Sequence, residues 1–259
     1  VVTSGAKPIM WYLMNAILEE GDEVIYPNPG FPIYESLIDY FGAQRLPLPL
    51  TDDNHFEVDP EVIASKVTDR TKLLILNSPA NPTGGFTPKE KLEKIAEALH
   101  DYPNCWVLSD EIYDRILYDG AEHASITQFG QMAQRTVILN GFSKTFAMTG
   151  WRLGWGVMPV ALAPVIARLV TNSDSCAANF SQLAAIEALT GPQDAVREMV
   201  TAFKERRDFL VKGLNEIDGV TCTLPKGAFY AFANVKSFGR DSKEIADYLL
   251  DECGVACLD

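Results

Sequence analysis

The sequence predicts an α/β fold around a mostly parallel β-sheet, and three observations lead there. Short apolar runs alternate with segments of helical period along most of the chain, the order expected when strands are joined by crossover helices. Two runs, Leu73-Leu74-Ile75-Leu76 and Thr136-Val137-Ile138-Leu139, are apolar at successive positions, as in strands covered on both faces. Hydrophobic residues make up 47% of the 259 positions and charged residues 22%, enough for a sizeable core and unlike a disordered chain.

In chain order, Val1-Val2-Thr3-Ser4-Gly5 reads as a strand entering a turn, and Pro8 suits the first turn of a helix over 8–19. Strands are expected over 23–26, 46–50, 72–77, 105–109, 136–140 and 153–158. Further helices are expected over 34–41, 60–66, 88–100, 160–171, 181–189 and 193–216. The texture then changes. Segments 220–224, 229–235 and 255–258 read as strands around a helix over 242–253, a separate α+β layer. A boundary falls near residue 210, giving a large domain over 1–210 and part of a small domain over 211–259. The first residue is not Met, and both ends read as cut through strands. The expectation is therefore the middle of a longer protein.

A net charge of −13 and a pI near 4.7 argue against wholesale binding of nucleic acid or anionic membrane. No apolar run approaches the roughly 18 residues of a membrane span, and no leader pattern opens the chain. A soluble protein is expected. Cys105, Cys176, Cys222, Cys253 and Cys257 are odd in number and scattered, which is no disulfide framework. Reduced thiols and a cytoplasmic location are the simpler reading. His55, His100 and His123 are isolated, so no metal site is expected.

In sheets of this kind ligands gather at the carboxyl ends of the strands. Asn77-Ser78-Pro79-Ala80-Asn81-Pro82-Thr83-Gly84 follows the third long strand, Ser109-Asp110-Glu111-Ile112-Tyr113 the fourth, and Asn140-Gly141-Phe142-Ser143-Lys144 the fifth. Gly150-Trp151-Arg152-Leu153-Gly154 leads into the sixth. Singly, these are a turn, a helix cap, a solvated lysine and a surface arginine. Their conjunction on successive strand ends is what points to a site. Gly150, Gly154 and Gly156 lack the spacing of a dinucleotide-binding turn, which disfavours a dehydrogenase.

The run Gly141-Phe142-Ser143-Lys144-Thr145-Phe146-Ala147-Met148-Thr149-Gly150-Trp151-Arg152-Leu153-Gly154 resembles the pyridoxal-phosphate attachment signature of class I and II aminotransferases. The Asn81 turn and the segment from Asp110 to Tyr113 are similar to that family's other cofactor motifs, in the same order. The resemblance implies a fold-type I architecture: a large domain around a mixed, mostly parallel sheet, a smaller α+β domain, and a homodimer. It also implies an aminotransferase moving an amino group from an L-amino acid (aspartate, alanine or aromatic) to a 2-oxo acid. A lyase or decarboxylase on the same scaffold, or a catalytically incompetent fragment, are the alternatives.

The resemblance assigns catalytic roles to Lys144, Asp110 and Tyr113. Lys144 would form the Schiff base with pyridoxal 5'-phosphate and move the proton, since a lysine in a partly desolvated, cation-flanked pocket is neutral part of the time. Asp110 would face the pyridine nitrogen and keep it protonated. Asn81 and Tyr113 would bond the ring's phenolic oxygen, and Phe31 would stack on the ring. Gly5, Ala6 and Lys7, at a helix start, would cradle the phosphate together with Arg152, although Lys7 is as readily a solvated lysine. Family members often carry serine three residues before the lysine. Gly141 stands there in this chain, so that contact is absent or replaced, with Ser143 as the candidate. Trp11, Trp106 and Trp155 are expected in the core, Gly227-Ala228-Phe229-Tyr230 as small-domain structure, and Lys204 to Arg207 as a solvated face. The family's substrate-carboxylate arginine lies beyond Asp259, so impaired turnover is expected of these 259 residues alone.

Overall fold

The hydrophobic runs become strands and the periodic segments between them become helices. A computed structural model describes all 259 residues. It runs β1 (Val2–Thr3), α1 (Lys7–Ile17), β2 (Glu23–Asn28), α2 (Ile33–Tyr40), β3 (Gln44–Pro49), α3 (Pro60–Lys66), β4 (Thr71–Asn77), α4 (Lys89–Ala98) and β5 (Trp106–Asp110). There follow β6 (Thr136–Gly141), β7 (Gly154–Val157), α5 (Ala163–Ser173), α6 (Asn179–Thr190) and α7 (Asp194–Asn215). The last elements are β8 (Thr221–Cys222), β9 (Ala233–Asn234) and α8 (Ser242–Cys253). Helix α7 is continuous through residue 210.

Strands β1 to β7 form one sheet in the order β1-β7-β6-β5-β4-β2-β3. Pairing is parallel from β3 to β6, and β7 runs antiparallel to both its neighbours, β6 and β1. The sheet is mixed and mostly parallel. Its unbroken apolar runs follow from coverage on both sides. Leu73 and Ile75 join Ile9, Leu13, Ile38 and Ile166 in a core on the α1, α2 and α5 side. Leu74 and Leu76 join Ile63, Leu92 and Ile95 on the α3 and α4 side. Each such fully buried aliphatic side chain contributes about 1.5–3 kcal/mol.

The antiparallel turn at β7 decides where the site lies. The end of β6 (Gly141), the start of β7 (Gly154) and the end of β1 (Thr3) are register partners or next to them. Asn77 at the end of β4 pairs with Asp110 at the end of β5. All these termini therefore share one edge of the sheet. The chain reaches β7 through a short 3₁₀ turn, Thr149–Trp151, after which Arg152 takes a left-handed conformation with φ 50°.

Three expectations are corrected in and after α7. The segment 229–235 pairs only at Ala233–Asn234, against β8. Ala228 has φ 57°, Ala228 N–H bonds to Ile116 O, and Phe229 stacks against Tyr113 and Phe203, so this stretch docks on the large sheet's loops instead of extending a strand. Residues 255–258 form no strand: Gly254, φ 67°, closes α8, and the residues after it are exposed. Arg207 is not solvated, since 6% of its side chain is exposed. Its guanidinium lies 4.5 Å from the Tyr118 ring centre, donates to Pro225 O at 2.8 Å and pairs with Asp119 and Asp208. A buried arginine satisfied in this way pins α7 to the 223–226 segment.

No helix is long and apolar enough to cross a membrane. No group of three or more His, Cys, Asp or Glu side chains gathers as a metal would need.

Candidate active site

Asp110 sits at the floor of a cleft at the carboxyl edge of the sheet, only 4% exposed. Strand β5 delivers it there, and the following backbone turns so that Ile112 N–H donates to Oδ1 at 3.3 Å. Tyr34 O–H donates to Oδ2 at 2.8 Å from the first turn of α2. Burial pushes the Asp110 carboxyl up to about 6, against the pull of the Tyr34 and Ile112 hydrogen bonds; the Glu111 charge adds to the rise and Lys144 opposes it. Asn77 Nδ2 holds the Asp110 carbonyl at 3.1 Å, and its Oδ1 accepts from Asn81 N–H at 2.8 Å. The β4 and β5 ends are thus locked to each other.

Lys144 enters from the loop after β6. Its Nζ lies 5.9 Å from the Tyr113 ring centre and 5.3 Å from that of Phe229. Burial lowers its pKa, and the positive charges of Lys7 and Arg152 lower it further, with Asp110 pulling the other way. An amine held this way spends more time uncharged than a surface lysine does, which is what a nucleophilic amine needs. Tyr113 shares a 2.6 Å hydrogen bond with the Tyr230 hydroxyl, and burial pushes both phenols up.

The opposite wall carries positive charge and free amides. Helix α1 opens at Ala6 with no side-chain cap, so its first amides are available to an anion. Arg152 Nη1 is fixed by Thr149 O at 2.8 Å and Nη2 points to Ser4 O at 3.5 Å. Gly5 has φ 99°, and a Cβ there would collide with the Arg152 guanidinium. A Cβ at Gly154 would press on Ala6 N and Gly5 C. Glycine at both positions lets the turn, the arginine and β7 close into one cradle. Lys7 Nζ lies 5.1 Å from the Phe31 ring centre, and Phe31 meets Tyr34 edge-on at 5.9 Å.

These residues line one cavity of about 430 Å³. Of the expected site residues, Ala6, Lys7, Phe31, Asn81, Asp110, Tyr113, Ser143, Lys144 and Arg152 face it. Gly5 lies behind it, against Arg152. Gly141 is tight: a Cβ there would lie 3.1 Å from Gly154 Cα and from Leu153 O, so a serine has little room. Ser143 is on the cavity wall.

Sequence reasoning missed Met10, Tyr34, Asn77, Thr149 and Tyr230, all on the cavity wall. Tyr34 lies in the first turn of α2, and no local pattern in the sequence marked it. Tyr230 corrects the reading of 227–230 as small-domain structure alone. Gly227 packs so closely on Pro79 that no Cβ fits, and this close approach carries Phe229 and Tyr230 over the site. Cavities elsewhere, such as the one of about 610 Å³ bounded by Phe56, Gly84 and Pro225, hold no comparable meeting of amine, carboxylate and guanidinium.

Residues 1–259 match the family described as aminotransferase class I and II. The bifunctional aspartate aminotransferase and glutamate/aspartate-prephenate aminotransferase of Petunia hybrida is 39% identical over 99% of this chain and 56% of that protein. The aspartate aminotransferase of Musicola paradisiaca is 35% identical over 99% of this chain and 64% of that one. The crystal structure of an aromatic aminotransferase from Pyrococcus horikoshii superposes with a TM-score of 0.95 at 37% identity, covering 99% of this chain and 69% of that chain. This chain therefore spans a little over half to about two thirds of the relatives it matches.

Proposed function

This chain belongs to the class I and II aminotransferase family, and on that premise we propose that the protein moves an amino group from an L-amino acid to a 2-oxo acid. The family's cofactor is pyridoxal 5'-phosphate, and the residues present fit it: a Cβ at Gly5 would collide with the Arg152 guanidinium, the first amides of α1 have no side-chain cap, and such a cradle suits a phosphate. When bound, the cofactor supplies an electron sink for a carbanion at the amino acid's Cα.

The chain's own residues supply the rest. Arg152 and the α1 amides would hold the phosphate. Asp110, buried and bonded to Tyr34, would hold a proton on the ring nitrogen by charge. Asn81 and Tyr113 would bond the phenolic oxygen, and Phe31 would stack on the ring. Lys144 Nζ would be the anchoring amine and would move the proton at the amino acid's Cα; burial and the flanking cations lower its pKa, which favours the neutral form. The observation that carries this reading is Lys144 and Asp110 on the wall of one cavity with Arg152 beside them.

Aspartate, or a broad range of small amino acids, is the proposed donor. We further propose a homodimer, supported by the exposed apolar side chains Phe180, Leu183 and Ile186 along α6, and a cytoplasmic location, supported by five free thiols. The experiment is a panel of amino donors assayed against 2-oxoglutarate and pyruvate. Oxo-acid product that forms only with an acceptor supports transamination. Equal oxo-acid product without any acceptor overturns it in favour of elimination by a lyase, and carbon dioxide with an amine product in place of oxo acid overturns it in favour of a decarboxylase.

A further inference from the structure

A second polar cluster extends from the cavity floor on the side away from the cleft. Glu111 follows Asp110 directly and is equally buried, 6% exposed. Its Oε1 accepts a 2.8 Å hydrogen bond from Ser109 Oγ, and its Oε2 lies 2.9 Å from His123 Nε2. Asp114, half-buried, accepts a 3.3 Å bond from Thr145 Oγ1, on the residue after Lys144. Glu111 and Asp114, both on the segment following β5, are the charged groups that bear on the His123 ring. The cleft uses none of these side chains directly. Yet two consecutive buried carboxylates at one strand end repel each other, and that repulsion falls on the one the cleft needs charged.

We infer that His123 is a positioning residue for Asp110: by pairing with Glu111 it neutralises the neighbouring carboxylate, and so lets Asp110 keep its negative charge toward a bound cofactor. The inference rests on the cofactor reading given above. The electrostatics agree with the geometry. Burial pulls the imidazole down, but its hydrogen bond to Glu111 and the charges of Glu111 and Asp114 hold it above the usual histidine value. These influences favour the protonated ring that the pairing needs. The Glu111 charge, for its part, raises Asp110. Through Asp114 and Thr145 the same cluster also ties the β5 loop to the loop that bears Lys144.

The test reads Asp110 itself. In the unliganded protein, carboxyl carbon NMR with labelled aspartate follows its titration, the signal being identified by its loss in Asp110→Asn. Affinity for pyridoxal 5'-phosphate is measured alongside by fluorescence quenching. His123→Gln keeps an amide donor but no charge, and is expected to raise the Asp110 midpoint by about one pH unit and weaken cofactor binding up to about tenfold near that midpoint. Glu111→Gln is expected to lower the midpoint. The double variant is expected to return the midpoint and affinity toward wild type, a rescue that a merely structural histidine would not give. An unchanged midpoint in His123→Gln, an unchanged or raised one in Glu111→Gln, or a double variant no better than His123→Gln overturns the inference. If His123→Gln does not fold, the ring's own proton NMR titration decides: a His123 midpoint that falls in Glu111→Gln supports the pairing, and one that does not move overturns it. A wild-type protein that binds no cofactor yet titrates as described overturns the function proposed above and supports the charge pairing argued here.

Discussion

Tyr34 and Asp110 are separated by 76 positions and joined by a 2.8 Å hydrogen bond from the phenol to Oδ2. The bond crosses from α2 to the end of β5, and both groups are buried. A carboxylate this deep would rise far above its ordinary pKa without such donors.

Tyr34→Phe is expected to raise the Asp110 pKa beyond about 6, because the hydroxyl is the strongest influence opposing burial. A hydrogen bond to a charged group contributes about 1.5–3 kcal/mol, or about one to two pH units. The pH dependence of pyridoxal 5'-phosphate affinity checks this. Its acid limb moves upward in the variant, and a superimposable profile refutes the role.

Asp110→Asn separates stability from chemistry. The folded pKa is raised above the ordinary carboxylate value, so the folded protein binds this proton more tightly than the unfolded chain does. Its stabilising effect is full below about pH 4 and is lost as pH rises through about 6. Over that window the unliganded wild type loses up to about 3 kcal/mol from this group, and the variant loses none of it. Urea melts of both proteins at pH 4.5 and pH 7 make the comparison. Turnover falls by at least about a hundredfold in the variant if the charge supports the ring nitrogen.

Lys7→Met removes one of the two cations that lower Lys144. The Lys144 amine is then expected to ionise at higher pH, so the pH at which borohydride traps half of the added pyridoxal 5'-phosphate shifts upward. Lys144→Ala traps none. Undiminished trapping in Lys144→Ala assigns the anchor to another residue.

Gly154→Ala would drive a methyl group into the Gly5–Ala6 backbone. Overpacking against a main chain that cannot step aside costs about 1–3 kcal/mol. The expected result is that loss in chemical denaturation together with a weakened affinity for inorganic phosphate. A variant as stable as wild type, with phosphate binding intact, shows that the cradle has slack.

The layers of this fold were readable because burial on both faces leaves a direct trace. Leu73 through Leu76 had to be apolar at every position, and the strand they predict is β4. Asn81, Asp110, Lys144 and Arg152 stood out because Asp110 ends β5 and the others lie on the loops adjoining β4, β6 and β7, where ligands collect, within segments that resemble the family's cofactor motifs. What the chain concealed depends on long-range approach. Tyr34 meets Asp110 only because α2 packs beside β5's end, and an isolated tyrosine on a helix carries no mark of that. Phe229 and Tyr230 looked like strand because aromatic residues favour strands. The contact of Gly227 with Pro79 sends them elsewhere, and no local pattern encodes a partner so far away. Arg207 sits in a run of charged residues, and only the docked 223–226 segment turns it inward.

Strand β1 holds its place through two register pairs with β7 and the bond from Gly156 N–H to Val1 O. The loop proposed to bind the phosphate is thus tethered to the rim of the sheet, where fraying starts. An occupied loop should slow amide exchange at Trp155 and Gly156, so that grip on the phosphate and closure of the rim become a single cooperative event.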